Sequence, residues 1–322
     1  MSRDPRQLLF RLGPFVGLVL VIAFFAIASG APDRYLSAHN LRVVLAQTVI
    51  VATGAIGMTL VIVAGGIDLS VGSVIALTGV ICALALGEGW PPALGVLAAV
   101  GTGALVGLLN AIAITRLRVV PFIATLGMLG IARGAAKWLA GQTTVNAPPT
   151  WVNELAVTVP PAPWMVFAPG VWVAVLLAVF MAFVLRRTVF GRRVFALGSS
   201  EAAARACGIA VTRLKLAVYS VAGLFFGLAG AMQMSRLRQG DPTVAIGTEL
   251  DVIAAVVIGG GSLSGGEGSV LGSMVGALVM AFLRNGSQQM GWPTYVQEIL
   301  IGVIIVAAVA LDRWRHARGG DE

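Results

Sequence analysis

Apolar blocks close to twenty residues long, separated by short breaks containing glycine, proline or charged residues, recur from one end of this chain to the other. An α-helix needs about 20 apolar residues to cross a hydrocarbon core of roughly 30 Å. In lipid every backbone N–H and C=O must be satisfied within the protein, and a chain of such blocks meets that demand as a bundle of helices. Of the 322 residues, 58% are apolar and 11% charged, against roughly 25% charged in a soluble domain. The blocks place candidate spans at 12–29, 43–64, 72–87, 93–115, 119–140, 165–185, 215–235, 249–261, 268–284 and 295–311. The eighth is short for a full crossing, which points to a broken or re-entrant helix shielded by protein. The fold class is therefore all-α: a polytopic transmembrane bundle of about ten spans with broken or re-entrant helices, forming one domain over residues 1–322.

Charge orients the bundle. The formal net charge of +8 suits nucleic acid only if a basic, water-exposed face exists, and a chain this apolar offers little of one, so no nucleic-acid partner is expected and membrane lipid is. Lys and Arg of short loops are retained in the cytoplasm. Starting inside, the inner segments hold Arg3, Arg6, Arg11, Arg116, Arg118, Arg186, Arg187, Arg192, Arg193, Arg205, Arg213, Lys215, Arg313, Arg315 and Arg318, whereas the outer ones hold Arg34, Arg42, Arg236, Arg238 and Arg284. Both termini are predicted to be cytoplasmic. Arg133 and Lys137 fall within or near the outer end of the fifth span, where long side chains snorkel or pair within the protein. The apolar run after Arg11 resembles a signal peptide, but it exceeds the usual h-region of about 7–15 residues and reads as the first span.

Of the two longest connections, 141–164 is rich in Pro and Thr without a basic residue and is predicted outside, while 186–214 is basic and predicted inside. A loop of that length is uncommon unless functional. Within it, Gly198-Ser-Ser-Glu-Ala-Ala-Ala-Arg-Ala-Cys-Gly208 reads as a short helix with Ser200 as N-cap, Glu201 in the first turn and Gly208 as the stop. Its exposed alanines suit docking into a partner's groove as well as a solvated loop. Small residues spaced four apart, at Gly103/Gly107, Gly130/Gly134, Gly223/Gly227 and Gly268/Gly272/Gly276, predict close helix packing.

One carboxylate, Asp68, stands between apolar runs in Gly65-Gly-Ile-Asp-Leu-Ser-Val-Gly72. An intramembrane Asp flags function, but Asp is also a preferred N-cap that suits a helix's positive end. A similar stretch, Val256 to Val270, repeats the order of apolar strip, glycine break and Gly-Ser-Val, and the two suggest a weak internal repeat. Inside it Leu263-Ser-Gly-Gly-Glu267 imitates the signature of ABC ATPases. ATP hydrolysis of that kind needs a GxxxxGK[ST] loop, and neither Lys137 nor Lys215 follows such an array. Cys82 and Cys207 have no metal-ligand spacing, the two histidines, His39 and His316, lie outside the spans, and no nucleophile elbow occurs. No cofactor and no catalytic residues are assigned.

Taken jointly, Gly65 to Gly72, Val120-Pro-Phe-Ile-Ala-Thr-Leu-Gly127, Phe190 to Gly198 leading into Glu201-Ala-Ala, and Glu249 to Gly260 with its glycine-rich sequel resemble the permease subunits of the ribose/xylose/arabinose/galactoside ABC importers. The resemblance implies a bacterial inner-membrane permease that pairs with a second permease subunit, identical or paralogous. It further implies a periplasmic sugar-binding protein as donor and a pair of cytoplasmic ABC ATPase subunits as motor. Ser200, Glu201, Ala202, Ala203, Arg205 and Gly208 match the helix that couples to the ATPase, while the Ile-x-Leu-Pro element of the wider importer loop is missing. Scarce polar groups and breaks within the spans, at Gly65, Gly66, Asp68, Ser70, Asn110, Glu249, Asp251 and Asn285, are candidates for the translocation path. Related permeases carry nucleosides, a signalling furanose or branched-chain amino acids, and an ion-coupled secondary transporter is the rival from another class.

Overall fold

The computed structural model describes residues 5–162 and 164–319, and these are folded into thirteen α-helices with almost no sheet. In chain order they are α1 (Pro5–Ala28), α2 (Pro32–Tyr35), α3 (Ala38–Val63), α4 (Val71–Gly87), α5 (Pro92–Thr115), α6 (Pro121–Leu139), α7 (Pro169–Arg187), α8 (Val189–Ser199), α9 (Glu201–Ala206), α10 (Val211–Leu237), α11 (Thr248–Ile258), α12 (Val270–Gln289) and α13 (Thr294–Gly319). Proline, which needs no N–H partner in the first turn, opens α5, α6 and α7. Serine hydroxyls cap α3 (Ser37 Oγ accepts from Asn40 N at 3.2 Å) and α12 (Ser269 Oγ accepts from Gly272 N at 3.3 Å).

Each of the ten apolar segments read from the sequence falls on a helix, and α3, α5, α7, α10 and α12 are long and apolar enough to cross a membrane. Two connections differ from expectation. The ninth apolar run continues past residue 284 to Gln289, so Arg284 lies inside α12 rather than in an outer loop. The inner connection is mostly helical: α7 runs to Arg187, and α8 fills the stretch before the short helix.

α3 is the axis of the bundle, buried along most of its length and packed by α10, α12, α11 and α7. Three of the four predicted small-residue spacings make tight joints. A Cβ on Gly103 or Gly107 of α5 would strike the backbone of α10 at Gly223 or Tyr219, and one on Gly272 or Gly276 of α12 would strike α11 at Gly259 or Ala255. Gly130 and Gly134 depart from the pattern, because a Cβ at either would meet nothing within 4 Å. α1 belongs to the packed unit: Phe25 is buried and lies against the Cα of Gly286 on α12 and the Trp292 ring.

The contacts between connections define two ends. At one, β1 (Val145–Asn146) pairs antiparallel with β2 (Gln239–Gly240), joining the 141–168 connection to the end of α10. At the other, the chain after α3, the end of α8 and the 259–269 loop interlock, with Gly266 N donating to Val63 O at 2.9 Å.

α4 and α11 both begin well inside the bundle. Val71 and Val252 lie beside Gly54, sixteen residues into α3 and so about 24 Å along its axis at 1.5 Å per residue. The 11-residue α11 spans only about 16 Å, which fits the expectation of a broken helix. The segment 238–247, which reaches its start from the sheet, is non-helical, with left-handed backbone at Arg238, Ala245 and Gly247.

Candidate coupling helix and membrane path

α9 is built as its sequence dictates. Ser200 Oγ accepts from Ala203 N at 3.2 Å, and the chain leaves the helix through Gly208 at φ +77°, a conformation glycine adopts without strain. Ala204 alone is buried, while Ala202, Ala203, Arg205 and Ala206 are exposed. Glu201 binds two cations: Arg205 Nη2 donates to its Oε1 and Lys215 Nζ to its Oε2, both at 2.7 Å. The hydrogen bond from Lys215, helped by Arg205 and opposed by partial burial, holds the Glu201 carboxyl below the usual glutamate range. Because Lys215 sits in the first turns of α10, this pair ties α9 to one of the longest helices in the bundle.

Beneath α9 lies a cavity of about 180 Å³, lined by Gly65, Gly66, Gly198, Glu201, Lys215 and Tyr219 among others. Its wall is a backbone joint in which a Cβ on Gly265 would come within 2.8 Å of Gly65 Cα and of Gly198 O. The helix–break–helix stretches 61–74 and 256–270 therefore share a layout and also touch one another.

The Asp68 turn is closed. Asp68 Oδ1 accepts from Ser70 N at 2.9 Å and Ser70 Oγ at 2.5 Å, and Asn110 Nδ2 donates to Asp68 Oδ2 at 3.2 Å and Ser70 Oγ at 3.1 Å. All three residues are buried. The N-cap of α4 is Ser70, not Asp68; Asp68 instead accepts the backbone N–H of the cap residue. Asn110 Oδ1 and the nearby Tyr219 hydroxyl have no hydrogen-bond partner among the described residues.

The remaining polar candidates go elsewhere. Asp251 Oδ2 pairs with Arg284 Nη2 at 2.6 Å, which explains why a cation is tolerated inside α12. Asn285 exchanges hydrogen bonds with Asn40 at 3.0 and 3.1 Å, and Gln289 Nε2 donates to Asn40 Oδ1 at 2.7 Å, clamping the start of α3 to the end of α12. Glu249 is half-buried at the mouth of α11, where Gly247 N donates to its Oε1 at 3.3 Å. The structure thus joins Asp68, Ser70 and Asn110, puts Glu249 and Asp251 together in the first turn of α11 and Asn285 near the end of α12, and sets Gly65 and Gly66 under α9.

Sequence reading left out Arg133 as a site residue. Its Nη1 donates to Pro242 O at 2.9 Å and Val244 O at 2.6 Å, clasping the non-helical segment to α6. The available signal was an arginine within an apolar span.

A helical bundle with five helices long and apolar enough to cross a membrane, and with a capped, exposed short helix at one end, defines an all-α multi-pass membrane protein. A family model described as branched-chain amino acid transport system / permease component matches residues 40–309, and the chain belongs to that family. It is 38% identical over 295 residues, 92% of each chain, to the ribose import permease protein of Escherichia coli K12. The ribose import permease protein of Bacillus subtilis 168 is 37% identical over 315 residues, covering 95% of this chain and 94% of its own. The xylose transport system permease protein of Escherichia coli K12 is 33% identical over 357 aligned positions, 92% and 91% of the two chains. No solved structure matches.

Proposed function

We propose that this chain is the membrane-spanning permease of an ATP-driven importer that carries a monosaccharide across the bacterial inner membrane. The observation that carries the reading is the near-full-length similarity to permeases named for ribose and xylose, whereas the family description names branched-chain amino acids. In this reading the chain crosses ten times with both termini in the cytoplasm, the interlocked end carrying α8 and α9 faces the cytoplasm, and the β1–β2 end faces the periplasm. The arginines at 186, 187, 192, 193, 205 and 213 support that orientation.

The motor is a pair of cytoplasmic ABC ATPases, the donor a periplasmic sugar-binding protein, and the other half of the pore a second permease subunit. α9 docks on the ATPase through its exposed alanine face. Movement imposed there passes along two routes: through Glu201 and Lys215 into α10, and through the glycine joint into the ends of α3 and the 259–269 loop. Since α4 begins and α11 ends next to those elements, the two helices tilt with them and the path opens alternately to the two sides.

The experiment is uptake of labelled ribose with ATP hydrolysis in proteoliposomes containing this chain, the ATPase and the binding protein, for wild type and Glu201→Arg. Uptake that requires all three components, and is lost in the variant while hydrolysis persists, supports the reading. Uptake by this chain alone, driven by an ion gradient, makes it a secondary transporter instead.

A further inference from the structure

Arg133 of α6 holds the non-helical segment that carries Asp241 and leads into Glu249. Arg133 lies twelve residues into α6, about 18 Å along its axis, and Thr125 of the same helix donates to Ile67 O beside the Asp68 turn. Arg133 is therefore placed between that turn and the β1–β2 end. Asp241 and Glu249 are within electrostatic reach of it, and all three are half-buried. Thr243 is exposed on the same segment, and Ile246 is 74% exposed.

The guanidinium carries five N–H groups. Two of them, on Nη1, hold Pro242 O and Val244 O; those of Nε and Nη2 have no hydrogen-bond partner among the described residues. Asp241 Oδ1 accepts from Thr243 N and Oγ1, both at 2.7 Å, which keeps Thr243 at the surface of the segment. Charged groups at this depth face lipid only at high cost; they face the bundle interior or a water-filled cavity, or pair with backbone carbonyls as Arg133 does. Non-helical backbone at membrane depth is likewise tolerated where it lines a water-filled cavity.

Resting on the reading of the chain as a sugar permease, we infer that Arg133, Asp241 and Glu249, with the 241–247 segment they flank, form the site where a polyhydroxylated solute is held during passage. The spare guanidinium N–H groups donate to solute hydroxyls and the two carboxylates accept from them. An uncharged polyol, whose hydroxyls both donate and accept, is complemented by this mix of guanidinium N–H groups and carboxylate oxygens.

The test uses the assembled complex in proteoliposomes, in a Cys82→Ala, Cys207→Ser background that still transports. Arg133→Gln lowers ribose uptake at least tenfold while ATP hydrolysis persists. Arg133→Lys keeps a cation to clasp the carbonyls but loses the planar fork, and it recovers less than half of the uptake. Thr243→Cys reacts with a membrane-impermeant thiol reagent, at rates that differ between the nucleotide-free and vanadate-trapped complex. Full uptake in Arg133→Lys would reduce Arg133 to a structural clasp and overturn the proposal, as would a Thr243→Cys that stays unlabelled in both states. Failure of the wild-type complex to import any sugar is a different result and removes the functional reading itself.

Discussion

Two polar groups of residues at depth in this bundle each hold a carboxylate and are left in different states. Around Asp68, the carboxylate, the Ser70 hydroxyl and the Asn110 amide bond mainly to one another and are sealed from the surface. Around Arg133, the guanidinium holds two carbonyls and keeps three N–H groups without a partner among the described residues, and the carboxylates of Asp241 and Glu249 are half-buried. A polar group in a low-dielectric setting stabilises when its bonds are complete and costs free energy when they are not. The closed group therefore acts as a lock on the α3–α4 turn, and the open one is where spare bonding capacity remains for a solute. Polarity within a span does not by itself mark a path: the Asp68 group also leaves one atom, Asn110 Oδ1, unpaired among the described residues, and what sets it apart from the Arg133 group is that it is sealed from the surface.

The sharpest way to probe that comparison is to cut a buried ion pair. Asp251→Ala leaves Arg284 inside α12 without its partner, and breaking a buried pair costs about 3 kcal/mol or more. Arg284 is 32% exposed, which moderates the cost, but the assembled complex should still unfold at a clearly lower temperature. Asp251→Ala/Arg284→Met, which removes both charges, should recover most of the loss. A double variant as unstable as the single one would mean that the pair does more than neutralise itself.

Next in size is the lock. Asp68→Ala strips the Ser70 N–H and the Asn110 amide of their acceptor in a buried site, at about 1–3 kcal/mol for each donor left unsatisfied. Thermal unfolding of the complex should fall for Asp68→Ala and fall less for Asp68→Asn, which keeps one acceptor oxygen. Glu249→Gln, in the open group, should leave the unfolding temperature close to wild type and lower uptake. Equal destabilisation by Asp68→Ala and Glu249→Gln would erase the distinction between the two groups.

Gly107→Val probes the packing around the lock, because a Cβ there meets the Tyr219 carbonyl and so pushes α10 from α5. Gly130→Val is its control, since open space surrounds that glycine in the protomer. The first should abolish assembly as seen by co-purification of the ATPase, and the second should not change the stability of the protomer itself.

Much of this architecture was legible because its causes are local. Block length placed the helices, Ser200 and Gly208 bounded α9, and the glycine breaks before Val71 and Val270 set the starts of α4 and α12. The pairings were not legible. Arg284 meets Asp251, and Arg133 meets Pro242 and Val244, across helices distant in sequence. An arginine inside an apolar run announces that a partner exists without saying which one. α8 was hidden for another reason: its arginines and short apolar stretches read as a basic loop, and its apolar side is buried at Val194 and Leu197 only once the neighbouring helices are in place. Gly130 and Gly134 carry the same spacing as the packed glycines yet pack against nothing in the protomer, because spacing reports what a face permits and not what lies opposite it.

The smallest effect belongs to the exposed pair at the coupling helix. The Glu201 carboxylate is 44% exposed, so its two cations together stabilise by about 1 kcal/mol or less once solvent screening is counted. The direction of the pH dependence nevertheless follows from the lowered folded-state value. A carboxyl held lower in the folded state than in the unfolded one binds fewer protons when folded, so its contribution is present above the ordinary value of 4.5 and disappears as pH falls through the folded value. Glu201→Gln should therefore unfold at a slightly lower temperature than wild type at neutral pH, and the two should converge well below pH 4.5. High salt should also narrow the neutral-pH gap, since exposed pairs are screened. A gap that ignores both pH and salt would show that Glu201 holds α9 to α10 by packing rather than by charge. The strut to Lys215 would then transmit motion without depending on ionisation.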